Sequence, residues 1–140
     1  MVLRKAKLSE KSHLEGEIDY ILGLAYFLKG KYYYNLSIKY MLSSLEHNYL
    51  GIDTYRCLGL AYGGIGDAQK ELEYFLKALE EEETGSSLLS VGQAYIKKNN
   101  YEKAEEYLLR ALNKAEEPEV IQKCRFNLGE IYMELEDYLK

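Results

Sequence analysis

The side chains that could perform catalysis are few in this sequence, and their spacing does not suggest a site. His13 and His47 are the only histidines. Neither has a serine, a cysteine or an acid at the spacing of a nucleophilic triad or a metal site, so both are expected to be exposed to solvent. Glu80 to Glu83 form an acidic run, but consecutive residues of a helix point in different directions. The sequence therefore predicts no enzymatic activity, no cofactor and no metal.

Charge and cysteine content favour a cytoplasmic protein that binds neither nucleic acid nor membrane. The formal net charge is −5, whereas nucleic-acid surfaces are normally basic. No apolar run approaches the roughly 18–20 residues that span a membrane. Cys57 and Cys124 lie far apart in the sequence, which is typical of reduced thiols. Residues 1–13 are basic and suit either a small anionic contact or a solvated terminus.

The strongest pattern is a five-residue segment that recurs along the chain. Leu-Gly-Leu-Ala-Tyr stands at residues 22–26 and 58–62, and related segments stand at 91–95 and 128–132. Their glycines are separated by 36, 33 and 37 residues. A period of roughly 20–50 residues is typical of stacked repeats, and glycines that follow it do not form a phosphate-binding loop. The sequence therefore predicts a solenoid.

Apolar residues at helical spacing predict seven helices in antiparallel pairs. Residues 1–13 are interpreted as an N-terminal leader or partial helix. The predicted repeat units span about 14–50, 51–84, 85–117 and 118–140, of which the last is incomplete. The candidate N-caps of the helices are Asp53, Asp67 and Ser86.

These units resemble tetratricopeptide repeats, whose pattern combines Leu-Gly and Tyr with later small and aromatic residues. The second unit departs from that pattern at Glu71, where the family usually has alanine. The resemblance covers about residues 14–140 and implies an all-α, right-handed α-solenoid of about three and a half units. In such a unit, a first-helix glycine would let the two helices approach closely. The matching residues of the second unit are Tyr55, Leu58, Gly59, Tyr62, Gly66, Asp67, Phe75, Ala78 and Leu79.

The fourth unit is predicted to lack its second helix. The seventh helix is expected to end near Leu135, and Glu136-Asp137-Tyr138 is interpreted as the next break. Solenoids normally end in a polar cap. We therefore expect either that the sequence is a segment of a longer array or that another chain covers this end.

The resemblance also implies a function, because arrays of this kind bind peptides in a concave groove formed by their first helices. Groove residues should lie away from the glycine and tyrosine of each unit. One carboxylate of the ligand is expected near Arg56 and Lys97. The predicted ligand-binding residues are Tyr20, Leu24, Phe27, Leu28, Arg56, Leu60, Gln93, Ile96 and Lys97. The corresponding positions of the fourth unit are Phe126, Glu130, Met133 and Glu134.

Several alternatives stay open at this point. The apolar face of the first unit could be covered by residues 1–12 or buried by tight curvature, and Tyr32-Tyr33-Tyr34 is either a partner surface or an inserted turn. The lysine and asparagines with which one branch of the family clamps chaperone tails are absent. The predicted function is a protein–protein interaction scaffold. The alternatives are a homo-oligomer through the exposed C-terminal helix and a regulatory or sensor part of a larger protein.

Overall fold

The computed structural model describes residues 2–139, and the side chains of residues 9–136. Within this range the chain forms seven α-helices and no strand, so the predicted all-α class is confirmed. A 3-10 helix, Lys31–Tyr33, precedes the second α-helix. The helices are α1 (Val2–Lys29), α2 (Tyr34–Glu46), α3 (Thr54–Gly64), α4 (Ala68–Glu81), α5 (Gly85–Lys97), α6 (Tyr101–Lys114) and α7 (Pro118–Leu139).

The chain divides into two compact units between Glu71 and Leu72. In the first unit, α1 and α2 pack antiparallel, and a hydrogen-bonded series of polar groups joins them. The Ser37 hydroxyl donates to the carbonyl of Gly23 at 2.7 Å, and the Ser43 hydroxyl donates to Asp19 at 2.6 Å. These bonds fix the register of the pair because their partners lie at successive levels of the two helices.

The second unit is built on α5, α6 and α7, with the C-terminal part of α4 contributing apolar side chains. Its larger core cluster joins three helices, and a smaller cluster combines Phe75 of α4 with Val91 and Ala94 of α5. Burying these side chains supplies the main driving force for packing the short helices. The larger cluster consists of Leu88, Leu89, Ala104, Leu108, Ala111, Cys124, Leu128 and Ile131.

The repeated first-helix glycine has the predicted role in two of the helices. A Cβ atom on Gly23 would lie 2.8 Å from Cγ of Met41, and one on Gly92 would lie 2.8 Å from Cγ of Leu108. Both distances are too short for a real Cβ contact, so the glycine is what lets the second helix approach. Gly129 differs, because a Cβ atom there would meet nothing within 4 Å.

Both terminal helices differ from the sequence-based expectation in length. Residues 2–13 are helical and continue directly into α1, so they do not fold back over its apolar face. The break predicted at residues 136–138 is wrong, because α7 runs through them to Leu139. That segment holds neither glycine nor proline to interrupt a helix. The basic side chains of Arg4, Lys5 and Lys7, like Met1 and Lys140, lie outside the described part.

One of the three predicted N-caps is confirmed. Asp67 accepts a hydrogen bond from the backbone N–H of Lys70 at 3.0 Å. Asp53 makes no such bond, because its carboxylate accepts from Arg56 at 3.1 Å instead. Ser86 is also not the cap of α5. Thr84 takes that place in a reciprocal capping box with Ser87.

Candidate functional site

Two of the residues predicted for the groove on α1 have rings that pack within the first unit. The Tyr20 ring lies against Gly51, where a Cβ atom would come within 2.2 Å of it, and its hydroxyl accepts from the backbone N–H of Asp53 at 3.3 Å. Burial raises the pKa of the Tyr20 hydroxyl. Phe27 stacks on Tyr34 with ring centroids 5.3 Å apart. These two rings therefore serve packing in the unit.

The remaining predicted residues of the first unit are more accessible. Leu24 is partly buried, while Leu28 is 75% exposed and Leu60 of α3 is also exposed. Arg56 forms an exposed ion pair with Asp53, at 3.1 Å. Tyr20 and Arg56 thus meet the same residue, Asp53, one through its backbone and the other through its carboxylate. The carboxylate predicted near Arg56 is already supplied by the chain.

On α5, the three predicted residues have different surroundings. Ile96 is partly buried against the larger core cluster of the second unit. Lys97 is exposed. Gln93 lines a cleft, so the structure places this one of the three residues predicted on α5 in a described concave site.

This cleft lies between α5 and α7 and has a volume of about 410 Å³. Gln93 forms its α5 side. The α7 side consists of residues spaced three or four apart and their neighbours, so they share one side of the helix. They are Glu119, Gln122, Lys123, Phe126 and Asn127.

Asn127 has an unusual position at the cleft. Its side chain is only 8% exposed, and it makes no hydrogen bond with any residue that the structure describes. No side-chain nitrogen or oxygen in that part of the chain is both sealed from solvent and unpaired. The amide of Asn127 must therefore reach solvent through the cleft. Water can therefore bond this amide, and a ligand that enters the cleft can take the place of that water.

The other groups of the cleft complete a mixed polar and apolar surface. Phe126 is 67% exposed and offers an unpaired aromatic face. Lys123 forms an ion pair with Glu119 at 3.1 Å, and both side chains are more than half exposed. Gln93 adds a second amide. Together the amides supply donors and acceptors, the ring supplies apolar contact area, and the ion pair supplies charge at the edge.

Sequence reasoning found Gln93 and named Phe126 as an equivalent position, but it missed Asn127 and the first turns of α7. A signal for Asn127 was present, because it stands in the buried stripe with Cys124, Leu128 and Ile131. A polar residue in such a stripe needs a partner. The sequence did not show that Asn127 borders a cleft, because this depends on how α5 and α7 meet.

The two histidines have different surroundings. His13 is exposed, as expected, and its ring meets that of Tyr49 at 5.2 Å. His47 is partly buried, contrary to expectation, since its ring lies 3.1 Å from the carboxylate of Glu15 and 2.9 Å from the carbonyl of Ser43. The antiparallel packing of α1 and α2 creates this contact, which spacing along the chain could not reveal.

The two thiols are buried and free of disulfide bonds. Burial raises the pKa of the Cys57 thiol to about 11, even though Arg56 opposes the shift. Burial also raises the pKa of Cys124. Among the described residues, no three His, Cys, Asp or Glu side chains are grouped so that they could hold a metal ion.

Comparison with known proteins identifies one segment. Residues 85–115 match the family model of the tetratricopeptide repeat, and this range coincides with α5, α6 and the connection between them. No curated protein matches the chain significantly. The described helices include none with the length and apolar character needed to cross a membrane.

Proposed function

We propose that this chain binds a peptide or helix of a partner protein, because residues 85–115 match the family model of the tetratricopeptide repeat, which suggests a protein–protein interaction module. The site proposed for the contact is the cleft between α5 and α7. The residues predicted on α1 and α3, above all Leu24, Leu28 and Leu60, are proposed as a separate contact surface of the first unit.

The observation that carries this proposal is the amide of Asn127 in the cleft wall, which has no hydrogen-bond partner among the described residues and is accessible to a ligand. A peptide backbone presents an N–H and a carbonyl at each residue. A side-chain amide presents the same two groups, so Asn127 can bond a peptide backbone through both. Gln93 across the cleft offers a second amide in the same way. This arrangement favours a polypeptide ligand over a purely apolar one.

Phe126 is proposed to supply binding energy beside these amides. Aromatic side chains dominate the energetics of many interfaces because they bury a large area with few rotatable bonds. The exposed ring of Phe126 would gain that contact only when a ligand covers it. Lys123 can exchange its bond with Glu119 for a carboxylate of the ligand, which would favour acidic peptides modestly.

The test is a selection of random peptides on the 140-residue chain, followed by affinity measurement on variants. Phe126→Ala removes an exposed ring and should leave folding unchanged while weakening binding by about 10-fold or more. Asn127→Leu should weaken it similarly by removing both amide groups. Leu109→Ala on α6, which removes another exposed apolar side chain, is the matched control and should bind normally.

Two results would count against the cleft. In the first, the selected peptides bind the Phe126→Ala and Asn127→Leu variants normally but do not bind the Leu28→Ala variant. This result would move the site to the first unit. The other is a failure to select any peptide that binds the folded chain.

We also propose that the chain has no catalytic activity of its own, acts in the cytoplasm and binds neither nucleic acid nor membrane. The packed His47, the raised thiol pKa values and the net charge of −5 support these statements. A role as the regulatory part of a larger protein is compatible with the same cleft.

A further inference from the structure

The outward face of α7 exposes large side chains that have no partner in the described part of the chain. Phe126, Tyr132 and Met133 are all about half exposed or more, with Met133 at 66%. Gly129 lies between them in the sequence and is exposed, on the side of α7 away from the buried Ile131. Phe126 stands at the edge that this face shares with the cleft.

The glycine at the centre of the face distinguishes α7 from α1 and α5. Met41 fills the space over Gly23, and Leu108 fills the space over Gly92, whereas Gly129 has nothing within 4 Å. Glycine in a helix interior destabilises the helix by roughly 0.8–1 kcal/mol relative to alanine. In α1 and α5, close packing against the second helix offsets this loss. In α7 no side chain packs over Gly129, so nothing offsets it.

We propose that this face of α7 binds the same face of a second copy of the chain, as an antiparallel helix pair with a two-fold axis at Gly129. The two glycines would then lie at the point of closest approach. In such a symmetric interface, each residue before Gly129 faces a residue after Gly129 on the other copy. The proposal does not require a peptide in the cleft, but both proposals use the ring of Phe126, so the dimer and a bound peptide would compete for it.

The apolar residues of the face are self-complementary in this arrangement. Phe126 lies three residues before Gly129 and Met133 lies four residues after it, on the same edge of the helix. In an antiparallel pair, Phe126 of each copy therefore packs against Met133 of the other. A sulfur–aromatic contact of this kind is favourable, and the symmetry supplies it twice.

The charges on the other edge are complementary as well. Arg125 precedes Gly129, and Glu136 follows it. At a rise of about 1.5 Å per residue, antiparallel packing brings Arg125 within one helical turn of Glu136 on the second copy, with Tyr132 of that copy beside Arg125 on the side nearer the two-fold axis. Neither Arg125 nor Glu136 forms an ion pair with the residues that the structure describes. A parallel pair would instead place Arg125 beside Arg125 and Glu136 beside Glu136, which is unfavourable.

The first experiment measures the mass of the 140-residue chain by light scattering over a wide concentration range. We expect a reversible dimer. Gly129→Leu should raise its dissociation constant at least about 10-fold by preventing close approach, while the fold is retained because the new side chain enters open space. Circular dichroism at low concentration checks that retention.

A charge exchange tests the register of the pair. Arg125→Glu and Glu136→Arg should each weaken the dimer by about 10-fold, since each creates like charges at both symmetric positions. The double variant restores both pairs and should return to within about threefold of the native dissociation constant. Leu109→Glu on the exposed face of α6 is the control and should leave the dimer unchanged.

The proposal is overturned by a monomer at every concentration, by a dimer that Gly129→Leu does not weaken, or by a double variant that is no better than either single one. Gly129, Arg125 and Glu136 do not line the cleft. Peptide binding by these variants should therefore persist, which separates a failure of this proposal from a failure of the proposed function.

Discussion

Gly92 and Gly129 occupy corresponding places in α5 and α7, yet their surroundings differ. At Gly92, the space for a side chain is already filled by Leu108, whose atoms lie within 2.9 Å of the position of a Cβ atom. At Gly129 the space is empty. The same sequence motif therefore has a packing role in one helix and leaves a vacant surface in the other.

Alanine substitutions at the two glycines should have opposite effects on stability. Gly92→Ala should lower the free energy of unfolding by about 1 kcal/mol, because overpacking a core costs roughly 1–3 kcal/mol and the gain in helix propensity only partly offsets it. Gly129→Ala should raise it by about 0.8–1 kcal/mol. Urea unfolding of the monomeric chain measures both values, and equal effects at the two positions would contradict the difference in packing.

The buried thiol of Cys57 leads to a prediction about reactivity. Because burial raises its pKa from the ordinary value of 9.0 to about 11, the thiol is protonated in neutral solution and is not the reactive thiolate. Iodoacetamide at about pH 8 should modify the folded chain only as fast as it opens, and should modify the urea-unfolded chain rapidly. Rapid modification of the native chain would contradict this account.

The sign of the same shift predicts how stability changes in alkali. A thiol whose pKa is raised by folding stabilises the folded state fully below its ordinary pKa. That contribution is lost as the pH rises through the native value near 11. Replacement of Cys57 by alanine should remove this part of the alkaline loss.

At the scale of elements, the start of α5 shows that residue type alone does not determine which residue caps a helix. Thr84, Ser86 and Ser87 all stand near the end of a turn, and each is a residue type that caps helices. The structure selects Thr84, whose hydroxyl accepts from the backbone N–H of Ser87 at 3.0 Å, while Ser87 accepts from the backbone N–H of Thr84 at 2.8 Å.

Removal of that cap should be measurable. Thr84→Ala should lower the free energy of unfolding by about 1 kcal/mol, because it leaves an N–H group of the first turn unsatisfied. Ser86→Ala is a close control, since Ser86 is exposed and does not cap α5, and should change stability little. A larger loss from the Ser86 variant would show that the cap has been assigned to the wrong residue.

For the whole molecule, the helices were predictable because two periodic patterns encode them. Apolar spacing indicated seven helices, and the repeated glycine indicated where the paired helices touch, as Gly23 and Gly92 confirm. The ends were less predictable, since nothing in residues 2–13 or 136–138 forces a helix to begin or stop. Which residue caps a helix, and where the helix ends, depend on local hydrogen bonds. Several residues near each turn could form such bonds.

The candidate site was predictable only in part for a related reason. Gln93 follows from its place on α5, but the cleft also needs the first turns of α7 and the amide of Asn127. Tyr20 and Phe27 were predicted as ligand contacts, and the sequence did not indicate that their rings also pack against Gly51 and Tyr34. Contacts between distant residues decide which apolar side chains stay accessible, and periodicity does not specify them.

The most direct test of peptide binding in the cleft is an NMR titration of the ¹⁵N-labelled chain with a peptide selected on it. We expect the side-chain amide signals of Asn127 and Gln93 to shift together with the backbone signals of residues 119–127. Saturation of both sets with one dissociation constant would establish the cleft as the binding site. Shifts confined to α1 and α3, with Asn127 unchanged, would contradict that assignment.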